Sequence, residues 1–149
     1  MSHNVRIEDA KAEPLAIVRR RAAQAELKTV IPAACGDVWN RARAHAVDRP
    51  SRMVALYLDD VMNIEVGVEV TDAFAGFEDL PRSATPAGRV AAVTHIGGYE
   101  RLHDAHAAIH SYCKDHGHRF AGPSWEVYGH ATADPADMRI DIFYLLAQG

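Results

Sequence analysis

Two acidic residues occupy matching places in the sequence, and together they could bind a cation. Glu65 lies in the segment 62–66 (MNIEV) and Asp141 in the segment 138–142 (MRIDI). Apolar and polar residues alternate in both segments, which is typical of strands with one buried face. Both carboxylates are therefore predicted to lie on the same side of a sheet, where they would attract a positively charged ligand. The alternative is that each simply faces solvent.

Aromatic residues lie close to these acids in the sequence, namely Tyr57, Trp125, Tyr128 and Phe143. Contacts between a cation and the face of an aromatic ring contribute ~0.5–2 kcal/mol each. Acidic and aromatic residues together thus favour a site for an organic cation. Burial in the core is the alternative for Trp125 and Tyr128, because aromatic side chains mainly serve packing. Glu126 lies between Trp125 and Val127, and its pattern leaves two orientations open, into the same cleft or towards water.

Histidine is frequent in the second half of the chain, yet its spacing does not predict a metal site. His103, His106 and His110 fall on one side of a predicted helix. The helix rise separates the first and last of them by roughly 10 Å, too far for one ion with Zn–N bonds of about 2.1 Å. We therefore predict that they form a solvated flank, and we expect no metal and no cofactor. The pair Gly97-Gly98 predicts a turn between strand and helix, with an anion site at the helix start as the alternative.

Composition limits the class of protein. The chain has 149 residues, 48% of them hydrophobic, and a net charge of −4. These values are typical of one globular domain and argue against direct nucleic-acid binding. The charged start of the chain excludes a standard signal peptide, and no apolar run is long enough for a membrane span. We therefore expect a cytoplasmic protein, with Cys35 and Cys113 as reduced residues of helix cores.

The periodicity divides the chain into two modules of the same element order. A helix is predicted at about 31–47 and a second at about 99–116, from apolar residues at three- and four-residue spacing. Each predicted helix follows one strand and precedes two more strands. The two later strands lie at about 53–58 and 62–70 in the first module and at about 125–130 and 138–146 in the second. A segment rich in Pro, Gly and Ala, 71–87, links modules 5–70 and 88–146.

This repeated order predicts an α+β fold. Two strand–helix–strand–strand modules would join into one antiparallel sheet, because neither module can bury its sheet alone. We expect both main helices on one face and a ligand cleft on the other, within a single domain that spans residues 1–149. A homodimer is kept as an alternative to a monomer.

Several motifs of the second half occur together in one known family. They are the segments 95–99 (HIGGY), 122–128 (GPSWEVY) and 140–142 (IDI), with Leu102, Ala105, Ile109 and Tyr112 between them. In this order and at this spacing the chain resembles the DNA gyrase inhibitor-like (GyrI-like) family, which includes the effector-binding domains of bacterial multidrug-sensing transcription regulators. The resemblance is specific over about 88–146 and concerns only the element order over 5–70.

The resemblance implies the duplicated fold and a cleft lined by aromatic residues. It also implies that an acidic residue of the last strand reaches the ligand, a position that matches Asp141. The family usually has Glu there, and Asp is shorter. Some relatives without a DNA-binding domain resemble hydrolases of strained small molecules.

Three functions therefore compete. The first is a stand-alone effector-binding protein for amphipathic, cationic or aromatic small molecules, serving sensing or sequestration. The second is a cofactor-free hydrolase in the same cleft, with Glu126 or Asp141 as general base and Tyr128 as the candidate proton donor. The third is a protein-interaction module of the gyrase-inhibitor type. The predicted ligand-binding residues are Asp141, Glu65, Glu126, Trp125, Tyr128, Tyr57 and Phe143.

Overall fold

A computed structural model describes residues 3–59, 63–130 and 133–148 of the chain. Eight strands form one antiparallel sheet in the order β1-β6-β8-β7-β3-β4-β2-β5. The strands are β1 (Arg6–Ala10), β2 (Pro14–Arg21), β3 (Met53–Tyr57), β4 (Asn63–Glu69), β5 (Arg82–Ala84), β6 (Gly88–Ile96), β7 (Phe120–Tyr128) and β8 (Arg139–Leu146). The two α-helices are α1 (Leu27–Ala44) and α2 (Leu102–His116). This is the predicted α+β fold.

Both helices pack on the same face of the sheet, as predicted. The apolar stripe of α1, including Ala34 and Val38, contacts Val18 and Val66 of the sheet. The stripe of α2, including Ala105 and Ile109, forms a second cluster with residues of β6 and β8. Ile64, Val66 and Val68 of β4 share the face under α1, as predicted, but burial does not alternate along the strand, because residues on both of its faces are buried. Met62 lies outside the described residues.

The two modules are related by an approximate twofold axis. The outer strands β2 and β6, the second strands β4 and β8, and the inner strands β3 and β7 occupy equivalent places in the sheet. The inner strands pair with each other, and Ala55 lies opposite Glu126 at the centre of that pairing. Met53 lies opposite Tyr128, and Tyr57 lies opposite Ser124, so the register is symmetric about this central pair.

The sheet curls strongly because its first two strands lie at opposite ends of it. Strand β1 pairs with β6, whereas β2 pairs with β4 and β5. A flat sheet would separate β1 from β2 by about 29 Å, at roughly 4.8 Å per strand. The chain from Ala10 to Pro14 can span at most about 14 Å. The two ends of the sheet must therefore approach each other.

The inner side of this curl is a packed apolar core, although no helix covers it. Eight of its residues are almost inaccessible to solvent: Leu15, Ile17, Val54, Leu56, Val90, Ala92, Trp125 and Val127. Phe143 and Leu145 pack against them. Apolar side chains thus occupy the space on this face to which the sequence analysis assigned a ligand cleft.

The element boundaries differ from the prediction mainly at the first helix. Helix α1 begins at Leu27, so Pro32 lies inside it and not in its first turn. Leu27 and Val30 extend the apolar stripe towards the N-terminus and pack on the same cluster as Ile31. The predicted linker contains a strand of its own, β5. Helix α2 ends as predicted, at Gly117 in the left-handed conformation.

Cys35 is partly buried in α1 and Cys113 is fully buried in α2, and both thiols are free. Within the described ranges, neither helix combines the length and the apolar composition that crossing a membrane requires.

The close approach of β2 to β4 predicts that Gly67→Ala destabilises the fold. A Cβ atom at position 67 would lie 2.5 Å from the carbonyl oxygen of Ala16 and 2.6 Å from Cγ2 of Ile17. Because both are held in paired strands, we expect a loss of roughly 1–3 kcal/mol in the free energy of unfolding. Urea denaturation measures it.

Gly36→Ala is the matched control. Position 36 lies in α1, and an added Cβ would meet nothing within 4 Å. Replacing a helical glycine by alanine should stabilise the protein by roughly 0.5–1 kcal/mol. Equal stability of the two variants would show that β2 and β4 do not approach as described.

Candidate functional site

Glu126 is a buried carboxylate on the sheet face that carries the helices. Its neighbours in β7, Trp125 and Val127, point to the opposite, inner core. Only 4% of Glu126 is exposed. Across the sheet it lies opposite Ala55, whose small side chain leaves room beside it. The structure shows neither of the two orientations that the sequence left open. Glu126 points to the helix-bearing face, away from the predicted cleft, and it is buried, not exposed to water.

Three side chains hold this carboxylate. Oε1 accepts a hydrogen bond from the hydroxyl of Tyr128 at 2.6 Å and a longer one from the hydroxyl of Tyr57 at 3.2 Å. Oε2 lies 2.6 Å from Nε2 of His106 in α2. A buried carboxylate is costly unless it is paired and hydrogen-bonded, and this set of donors meets that requirement.

The two tyrosines converge on one oxygen because of the pseudo-twofold symmetry. Tyr57 and Tyr128 occupy equivalent positions in β3 and β7, each two residues beyond the central pair of Ala55 and Glu126. Tyr57 also packs against the cluster under α1, whereas Tyr128 packs against the cluster under α2. The site thus lies where the two helix-bearing halves of the sheet meet.

His106 links this carboxylate to a third tyrosine. Its Nδ1 lies 2.6 Å from the hydroxyl of Tyr144 in β8, and Nε2 of His110 lies 3.3 Å from the same hydroxyl. The prediction of a solvated histidine flank is therefore wrong for His106, although His103 and His110 are exposed. The spacing of His106 could have predicted this position. His106 lies four residues after Leu102 and three before Ile109, so it belongs to the helix face that packs on the sheet.

Tyr99 forms the exposed rim of the site. It follows the Gly97-Gly98 turn, is 59% exposed, and sets its ring edge-on to the ring of Tyr128 at 6.2 Å between centroids. Two tyrosines therefore donate to the carboxylate, and two more contact its partners: Tyr144 contacts His106, and Tyr99 contacts Tyr128. Tyr144 and Tyr99 were not among the residues that the sequence predicted for the site.

The electrostatics keep the carboxylate charged and the hydroxyls neutral. Burial alone would raise the pKa of Glu126, but the hydrogen bond and charge of His106, with the tyrosine hydroxyls, hold it below its ordinary value. Burial, reinforced by the charge of Glu126, raises the pKa of Tyr57 and of Tyr128 and raises the pKa of Tyr144 to about 12. The site therefore presents a charged carboxylate in contact with an imidazole, among neutral tyrosines.

The other predicted ligand-binding residues lie on the opposite face. Trp125 and Phe143 stack on each other at 5.3 Å and belong to the inner core. Glu65 and Asp141 hold equivalent positions at the margin of that core, as their sequence match predicted. The expectation that all seven residues line one cleft is thus corrected. Adjacent residues of a strand point to opposite faces, so Trp125 and Glu126 separate.

Glu65 and Asp141 are held by ion pairs within the protein. Asp141 accepts hydrogen bonds from Thr94 at 2.7 Å and from Nε of Arg139 at 3.2 Å, and Arg52 lies 3.8 Å away. Glu65 accepts hydrogen bonds from Ser83 and, at 3.3 Å, from Arg19. Their charges are compensated by arginine, whereas no arginine or lysine is found hydrogen-bonded to Glu126 among the described residues.

The Gly97-Gly98 turn borders a separate cavity of about 380 Å³, lined in part by His95, Glu100 and Arg101. Gly97 has a φ of +131°, and the carboxylate of Glu100 closes over Gly98. A carboxylate at this position disfavours an anion, so the glycine pair serves the turn. No set of three or more metal-ligating side chains occurs in the described parts of the chain.

Several solved structures share this fold. The C-terminal domain of EcmrR superposes with a TM-score of 0.77 at 17% identity, over 100% of both chains. SAV2435, whose structure contains tetraphenylphosphonium, superposes with a TM-score of 0.70 at 9% identity, over 99% of this chain and 94% of that one. A hydrolase from Listeria innocua gives a TM-score of 0.60 at 10% identity, over 96% and 91%.

No curated protein sequence matches the chain. The sequence pattern of the GyrI-like small molecule binding domain, however, matches residues 3–146, which is nearly the whole chain. This match covers the first module, where the sequence analysis found a resemblance in element order only, and it agrees with the shared fold. The chain therefore belongs to the GyrI-like family of small-molecule-binding domains.

Proposed function

We propose that this protein binds aromatic organic cations at Glu126, on the helix-bearing face of the sheet, and serves to sense or sequester them. The observation that carries the proposal is one buried carboxylate that accepts hydrogen bonds from two tyrosines, with two further tyrosines next to its partners. Charge attraction and contact with ring faces are the two interactions that recognise such cations.

The balance of charge supports a cation over other ligands. Glu126 accepts hydrogen bonds from neutral hydroxyls and from one imidazole, and among the described residues it has none of the arginine partners that hold Glu65 and Asp141. An anion would be repelled there. A cation replaces lost hydration with a direct charge interaction, which is stronger in a partly buried site than in water.

The structural comparisons support the same ligand class. SAV2435 shares the fold and was solved with tetraphenylphosphonium, a cation whose phosphorus atom carries four phenyl rings. We extend that ligand class to this chain on the basis of its own carboxylate and tyrosines. The earlier assignment of the ligand-contacting acid to Asp141 is replaced in this proposal by Glu126.

The proposal predicts that Glu126→Gln weakens cation binding selectively. Wild-type protein should bind tetraphenylphosphonium with micromolar strength, on the order of −8 kcal/mol. Removing the charge while keeping the shape should weaken this binding by roughly 10- to 100-fold, in line with hydrogen bonds and contacts to charged groups. Triphenylphosphine oxide, a neutral aromatic compound, should lose little affinity. Isothermal titration calorimetry measures both ligands.

Asp141→Asn is the matched control. It also removes one buried carboxylate from the sheet, but from the inner-core side, where arginines pair with it. We expect tetraphenylphosphonium affinity to remain within about twofold when the variant is folded, as judged by circular dichroism. If D141N weakens binding and E126Q does not, the ligand contacts the inner face of the sheet, and the proposal is wrong.

A hydrolase is the second candidate, and one observation favours it. Glu126, His106 and Tyr144 form a continuous hydrogen-bonded chain with two contacts of 2.6 Å. A carboxylate that orients an imidazole, whose other nitrogen meets a hydroxyl, is suited to general acid–base catalysis. In this reaction a water beside Tyr144 forms a bond to an epoxide carbon as the C–O bond of the ring breaks. Tyr144 takes the proton of the water and passes its own to Nδ1 of His106, and the released alkoxide takes up a proton from solvent.

This candidate predicts turnover of a strained electrophile such as styrene oxide to its diol. Tyr144→Phe should then lower the rate by roughly 10²–10⁴, because the proton path is broken. Affinity for tetraphenylphosphonium should fall far less. Product formation is followed by chromatography, and a wild-type rate equal to the uncatalysed rate counts against hydrolysis of this class and leaves binding alone.

A further inference from the structure

We propose that His106 is an internal counterion for Glu126, which an organic cation must replace, so that binding such a cation releases one proton from the protein. The inference rests on the proposed function and adds a specificity rule to it. Cations would be bound in competition with protons, whereas neutral aromatic ligands would not. The contact that carries it joins Nε2 of His106 and Oε2 of Glu126 at 2.6 Å.

The geometry accommodates both charge states of the imidazole without moving a heavy atom. In either state the Nε2–H donates to Glu126. When the ring is neutral, Nδ1 accepts the hydroxyl proton of Tyr144; when it is charged, Nδ1–H donates to the oxygen of Tyr144. A tyrosine hydroxyl can act in both directions. Gain or loss of the proton therefore leaves no buried polar group without a partner.

The imidazole is also placed to respond to a ligand. The side chain of His106 is 25% exposed, whereas that of Glu126 is 5% exposed, so solvent can exchange a proton with the ring. Two positive charges cannot share one partly buried carboxylate without strong repulsion. A cation that contacts the site therefore favours the neutral imidazole, and the proton leaves to solvent.

The other titratable groups around the pair do not compete for this role. Tyr57 from β3, Tyr128 from β7, Tyr144 from β8 and Tyr99 from the turn before α2 all have raised pKa values, chiefly through burial. They stay protonated across neutral pH. Cys35 of α1, which interacts electrostatically with Tyr99, likewise has a raised pKa through burial.

His110 is the remaining group that could titrate near neutrality. It reaches the pair only through the hydroxyl of Tyr144, at 3.3 Å, and is not in contact with Glu126. Burial and the charge of His106 lower its pKa, which disfavours a second positive charge here. His106 is thus the one imidazole in direct contact with the carboxylate among the described residues.

The sign of the pH dependence follows from linkage. Where the free site carries the extra proton, a cation must expel it. Affinity for a cation should then rise about tenfold per pH unit, which is the slope for release of one proton. Where the free site has already lost the proton, affinity should be constant.

The test measures tetraphenylphosphonium binding by calorimetry from pH 5 to pH 8.5, in pairs of buffers that differ in ionisation enthalpy. The buffer dependence gives the number of protons released. We expect close to one proton at the acidic end, none at the alkaline end, and an affinity that rises between them. Triphenylphosphine oxide should show neither effect.

Two variants assign the proton to its residue. His106→Gln keeps a hydrogen-bond donor towards Glu126 without a titratable charge, so cation affinity should become independent of pH and exceed that of wild type at pH 5. His103→Gln is the matched control. It makes the same change one turn earlier on α2, at an exposed residue whose ion-pair partner is Asp104. It should retain the wild-type dependence.

The outcomes separate the two proposals. Binding without proton release, or an unchanged pH dependence in H106Q, overturns the counterion role and leaves cation binding at Glu126 intact. If tetraphenylphosphonium does not bind at any pH, both cation binding at Glu126 and the counterion role of His106 are overturned. The proton count of the wild-type protein decides the question by itself if H106Q fails to fold.

Discussion

Pairing between β3 and β7 joins the two modules, and the site is built around its centre. The pairing places Ala55 opposite Glu126 on the approximate twofold axis. One module supplies a methyl group there and the other a carboxylate, so the symmetry is broken at one position. The equivalent tyrosines, Tyr57 and Tyr128, lie at equal distances along their strands from this point. Both hydroxyls can therefore reach one oxygen of one acid.

Burial of that acid imposes further requirements on the surrounding elements. Three donors are supplied by three different segments, β3, β7 and α2, so the carboxylate ties the second helix to the strands of both modules. A buried charge is tolerated only with such partners, and losing one would leave it uncompensated. The tyrosine hydroxyls donate to Glu126, so their rings lie close to it. The side chains that stabilise the buried acid are thus the same ones on which the proposed cation site depends.

The two faces of the sheet differ in what covers them and in how they hold their acidic residues. The inner face is filled by apolar side chains from both modules, and its marginal acids, Glu65 and Asp141, are paired with arginine. The face bearing the helices has its own apolar cluster under each helix, with the polar group around Glu126 between them. A carboxylate paired with fixed cations serves stability. Glu126, in contrast, is held by tyrosine hydroxyls and one imidazole.

Local periodicity was sufficient to predict the element order, the duplication and the placement of both helices on one face, because each depends on spacing within a short segment. It also identified Glu126, Tyr57 and Tyr128 as site candidates and the equivalence of Glu65 with Asp141. Strand alternation separates Glu126 from Trp125, but it does not say which face of the sheet is filled by apolar side chains. That depended on the curl of the sheet, which brings distant strands together and fills the inner face. The pairing of His106 with Glu126, 20 residues apart, was likewise decided by tertiary structure, since only packing of α2 on β7 and β8 brings them into contact.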